Sequence, residues 1–147
     1  MPSRDGAAGR RAPAWAASSK DRALLMFFLL SDVTENDAPT RLRTGSHRDV
    51  ARVLEPEGEH GLDARDLAQR ADAASTHRPT VFATGKAGDV YLCHPFLVHA
   101  GQPHSGKIPR FLAQPKLSPS TPIRLDRGKD ASPVETAITR ALGAPPR

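Results

Sequence analysis

The chain has 147 residues with a formal charge of +5, 14 prolines, 11 glycines and a single cysteine, which fits one domain of ordinary size. One thiol, Cys93, excludes an internal disulfide and a thiolate metal cluster, and it points to a reducing, cytoplasmic setting. Acidic residues are interleaved with the basic ones (Arg48-Asp49, Asp63-Ala64-Arg65-Asp66) and aromatics are only 5% of the chain, so nucleic acid is not an expected partner despite the basic balance.

In chain order, residues 1–20 are small, charged and broken by Pro and Gly, and read as a loop-rich arm. Residues 23–33 open with the longest apolar run, from Ala23 to Leu30. It is far below the roughly 20 residues that cross a bilayer, and Ser31-Asp32-Val33-Thr34-Glu35 behind it supplies no small-residue cleavage site. It reads as a buried strand, and no membrane is expected as a partner. A turn over 35–39 leads to a short strand at 40–44. Ser46 is placed to cap a helix over 47–54, with Asp49 three residues on and with Val50, Val53 and Leu54 on one face. Asp63 caps a helix over 64–74, flanked by Leu62 and Leu67 at staple spacing.

Strands follow at 80–84 and 89–94, separated by the Gly85-Lys86-Ala87-Gly88 turn. The second is interrupted by Pro95 and resumes over 96–99, and 110–114 is its return. A last helix spans 133–142: Ser132 caps it, Pro133 sits at its first position, and Glu135 completes a capping box. Strands dominate this pattern. The expectation is a mainly β fold whose strands close over a pocket as a barrel or jelly roll, with two or three short peripheral helices. Residues 21–126 form that domain, and 127–147 form a linker and a C-terminal helix.

The stretch from Gly88 to Arg110 carries the chemistry. A hairpin loop centred between His104 and Ser105 sets His99 opposite Arg110 and Val98 opposite Phe111. Opposed residues project from one face with Cβ atoms about 5 Å apart. An imidazole is a common ligand for iron(II), and a guanidinium bonds a carboxylate at two points. Together they suit a metal-chelating dicarboxylate. His94 lies five residues from His99, a spacing that turns it to the opposite face, and it reads as structural. A zinc site of His94, His99 and His104 is a lesser alternative, since His104 falls at the loop tip. His47 reads as a turn and helix-start element, Phe82 and Tyr91 as core, and Cys93 as a small buried hydrophobe.

The run from Asp32 to Thr40 leading to Gly45-Ser46-His47, then Gly88-Asp89-Val90, His94-Pro95-Phe96-Leu97-Val98-His99 and Arg110, resembles the phytanoyl-CoA dioxygenase (PhyH-like) family over roughly residues 3–125. The resemblance implies an Fe(II)- and 2-oxoglutarate-dependent oxygenase on a double-stranded β-helix, acting on a small organic or acyl substrate. It puts His99 at the distal iron ligand, Arg110 at the 2-oxoglutarate carboxylate anchor, and Asp5 at the carboxylate of the family's His-X-Asp pair. Ser3 stands where that pair has its histidine, and the N-terminal part of the family domain is expected to be missing. Two readings follow: an oxygenase, or a truncated, non-catalytic remnant of the same fold. The oligomeric state and the substrate are left open by the sequence.

Overall fold

A computed structural model describes Ala16 and residues 22–143. Asp5 and Ser3 lie outside the described residues, as does most of the expected N-terminal arm. The run from 23 to 30 forms β1 (Leu25–Leu29), whose odd residues Leu25, Phe27 and Leu29 are each 1% exposed. Its neighbours are β4 (Val90–Cys93) and β6 (Leu112–Ala113), both antiparallel to it. A second antiparallel sheet centres β2 (Thr40–Arg43) between β3 (Thr80–Ala83) and β5 (His99–Ala100). Leu25 and Phe27 of the first sheet join Leu42 and Ala83 of the second in one buried cluster, with Tyr91, Cys93, Leu97 and Leu112 packed on it. Burial of that shared apolar surface holds the two layers face to face.

Three helices build the other core: α1 (Ser46–Leu54), α2 (Ala64–Ala74) and α3 (Pro133–Ala141). Val50, Ala51 and Leu54 pack with Leu62, Ala71, Phe96, Ile123, Ile138 and Ala141. Asp63 caps α2 by accepting the Arg65 and Asp66 amides, and Ser132 and Glu135 form the reciprocal box on α3. Helical residues outnumber strand residues among those described, so the fold is mixed rather than mainly β. No helix among the described residues is long and apolar enough to cross a membrane.

Four further expectations need correction. The cap of α1 is Gly45, at φ +81°, a left-handed turn that suits glycine. Ser46 is instead the first helical residue, and its fully buried hydroxyl accepts the Val98 amide at 2.8 Å. Asp49 does not cap; its carboxylate takes both Arg78 Nε (2.8 Å) and Arg78 Nη2 (3.0 Å), and the neighbouring guanidinium holds its pKa below the usual carboxylate range. Phe82 is 45% exposed rather than core, because β3 is an edge strand whose Phe82 pairs with Arg41 on the outward side. Finally, β1 is buried on one side only. Its even residues face outward, and Leu30 is 62% exposed.

The expected hairpin between 99 and 110 does not form. His99 and Ala100 pair with Leu42 and Arg41 of β2, whereas Leu112 and Ala113 pair with Leu29 and Phe28 of β1. Pro103 and Pro109 each lack an amide donor, which discourages a continuous ladder through 101–111. That segment instead crosses from one sheet to the other.

Candidate functional site

His99 stands at the start of β5, in register with the inward-facing Leu42. Its ring meets Phe27 edge-on, with centroids 5.5 Å apart and planes at 69°. Nδ1 lies 2.9 Å from the Leu97 carbonyl oxygen, an acceptor only, so Nδ1 carries the proton and donates it. The lone pair is thereby fixed on Nε2, the arrangement by which a backbone carbonyl orients a metal-ligating imidazole. Nε2 faces the Gln114 side-chain amide, Nε2 to Nε2 3.4 Å. Gln114 lies just past β6, so the two sheets bring together residues 15 apart in sequence.

Arg110 precedes β6 and is half-buried. Its Nη1 donates to the carbonyl of Ala38, on the main chain entering β2. The Gln102 amide donates to the adjacent Pro39 carbonyl at 2.7 Å, so both ends of the crossover are tied to the same short segment. His99 and Arg110 therefore come from opposite sheets, not from neighbouring strands. His99 also lines an open cavity of about 390 Å³ with Phe96, Leu97 and Val98, walled on the far side by Val50, Leu67 and Ala71; Arg110 is not among its lining residues.

Iron(II) needs several donors at one point, and the described residues meet part of that requirement. His99 has the right tautomer and an orienting carbonyl. No group of three His, Cys, Asp or Glu side chains converges among the described residues, which also removes the three-histidine zinc alternative. Asp5 is the further donor expected from the sequence and lies outside the described residues.

His94, the other histidine of the motif, is held differently. Its Nδ1 accepts the Phe96 amide at 3.1 Å and its Nε2 faces the Val134 carbonyl of α3 at 3.4 Å. His47 stacks on it with ring centroids 4.9 Å apart. Burial, and then the adjacent His47, push the His94 pKa down to about 4; burial and then Arg48 push that of His47 down. Both rings are neutral at pH 7, and both serve the junction between α1, α3 and the connection from β4 to β5. Burial also pushes the half-buried Cys93 thiol up, which fits its place in the inner cluster and not a nucleophile.

Sequence reasoning missed Gln114 and the Leu97 carbonyl. The alternation Arg110-Phe111-Leu112-Ala113-Gln114 carried a signal, since Gln114 has the parity of Arg110 and of Leu112, which packs on the inner cluster. No curated protein and no solved structure matches the chain. A protein-family model described as phytanoyl-CoA dioxygenase (PhyH) matches residues 2–112, and the chain belongs to that family.

Proposed function

We propose that the chain is an Fe(II)- and 2-oxoglutarate-dependent oxygenase that hydroxylates a small organic or acyl substrate, with His99 and Asp5 as iron ligands and Arg110 as the 2-oxoglutarate anchor. Family membership implies oxygenase-like function at the level of the family. The observation that carries the finer reading is His99 itself: an inward-facing imidazole whose Nδ1–H is committed to Leu97, leaving Nε2 as the donor.

Topology supports the jelly-roll reading of the fold. After β1, the chain passes to the second sheet for β2 and β3, back for β4, across for β5 and back again for β6. Each return lands beside β1 or β2. Such alternation is how a double-stranded β-helix is wound.

Iron(II), when bound with 2-oxoglutarate and oxygen, supplies the oxidant for a C–H bond. The chain's own residues do the positioning. Leu97 holds the His99 ring in one tautomer and one orientation. Arg110 shares the parity of Leu112 and presents a planar, permanently charged fork suited to a carboxylate, which would compete for the guanidinium now donating to Ala38. Gln114 keeps an N–H on the His99 lone pair and must turn aside for a metal to take that position. The open, largely apolar cavity beside β5, walled by Val50, Leu67, Ala71 and Phe96, suits a hydrocarbon portion of a substrate.

A second reading, a non-catalytic remnant of the fold, is favoured by the side-chain amide on His99 Nε2 and by Ser3 at the position of the first histidine. Anaerobic titration with Fe(II) in the presence of 2-oxoglutarate separates the two. The oxygenase reading predicts a weak visible charge-transfer band that is absent in a folded His99→Ala variant. A wild-type protein that stays folded and shows no band supports the remnant.

A further inference from the structure

An antiparallel sheet with one face on the core and the other in water alternates apolar and polar residues. The sheet β4-β1-β6 breaks that rule. Its registers align Met26 with Leu92, Phe28 with both Val90 and Ala113, and Leu24 with Leu117. These outward positions are all apolar on all three strands, with no charge and no hydrogen-bonding side chain among them. Five side chains at this face or its ends are open to solvent: Leu30 62%, Val90 44%, Leu92 66%, Phe111 62% and Leu117 41%. The Leu30 amide donates to the Phe111 carbonyl at 3.0 Å, so the apolar strip continues past the ends of β1 and β6.

We propose that this face seats a second copy of the chain, sheet against sheet, in a two-fold dimer. Three arguments select that occupant. First, the area suffices: five large side chains about half exposed offer on the order of 500 Å². The half-buried Leu24, Met26 and Phe28 between them bring the face close to the roughly 800 Å² per partner of a stable interface. Second, the composition is that of a self-association core. Interfaces with unlike, exchangeable partners are about as polar as ordinary surface and use charge to select, whereas homodimer interfaces are more apolar. A face without a polar handle has nothing with which to choose an unlike partner. Third, an uncharged, continuous apolar face has no polar pattern that must be matched when it meets itself across a two-fold axis, and two sheets stack about 10 Å apart in this way. Among the described residues, the outward positions Met26, Phe28, Val90, Leu92 and Ala113 carry no charge that would oppose the contact.

Sedimentation velocity of the full chain across micromolar concentrations tests the dimer, with Leu92→Glu as the disrupting variant and Phe82→Glu, on the other sheet, as the control. Leu92 and Phe82 are both exposed, so neither change opens the core. The proposal expects a dimer whose dissociation constant rises at least about 30-fold in Leu92→Glu and is unchanged in Phe82→Glu. Leu30→Lys, at the far end of the face, repeats the test should Leu92→Glu lose its circular-dichroism signature. A wild-type monomer at every concentration overturns the proposal. So does a dimer that survives both Leu92→Glu and Leu30→Lys. A monomer that instead pellets with phosphatidylcholine vesicles assigns the face to a lipid surface and likewise overturns it.

Discussion

His94 and His99 are five residues apart, but a turn at Pro95 and Phe96 separates them, so that one follows β4 of the first sheet and the other opens β5 of the second. His99 keeps a lone pair free of the main chain, while both nitrogens of His94 are engaged, one by the Phe96 amide and the other by the Val134 carbonyl. A proton added to His94 Nδ1 would confront that amide donor in a buried place. The folded pKa is therefore about 4 against an ordinary 6.5. Between those values the unfolded chain binds a proton that the folded chain does not. Stability is full above pH 6.5 and falls as the pH drops toward 4, by about 3 kcal/mol at most from this group. Urea midpoints measured from pH 7 to pH 4 should fall more steeply in wild type than in His94→Gln, with the gap between them closing toward pH 4. Parallel curves would show that His94 does not carry the acid response.

Elements were legible where their signals are local. The caps of α2 and α3 lie within three residues of the amides they bond, and the boundaries 64–74 and 133–141, the latter one residue short of the expected end, follow from Asp63, Ser132, Pro133 and Gly143. Ser132→Ala should lower stability by about 1 kcal/mol. The loss should reach beyond α3, because Ile138 and Ala141 pack against α1 and the Arg52 Nε donates to the Ala141 carbonyl at 2.9 Å. Chemical denaturation of the variant checks the size, and an unchanged midpoint would show that α3 is held by packing alone. Strand partners were less legible. The 99–110 pairing was argued from loop symmetry, yet β5 finds β2 and β6 finds β1, at separations of more than 50 residues. Pro103 and Pro109 discourage the hairpin but do not specify the partners, which follow from Leu112 joining the cluster between the sheets.

For the whole molecule, the family was readable from Gly45-Ser46-His47, the 94–99 run and Arg110, and the match over residues 2–112 agrees with it. Ser46 and Gly45 explain part of that readability physically, since one hydroxyl ties α1 to Val98 and one left-handed glycine turns β2 into α1. The proportion of helix was not readable as clearly. The number of strand segments argued for a mainly β fold, but α1, α2 and α3 assemble a second core of their own beside the sheets. The two cores divide the work: the helical one anchors the strand containing His99 through Val98, and the other sets His99 against Phe27. The account rests on His99 being the imidazole that serves a metal. Its most direct test is succinate release from 2-oxoglutarate by the Fe(II)-supplied protein in air. It predicts succinate from the wild type and none from a folded His99→Ala, and a folded wild type that releases no succinate would contradict it.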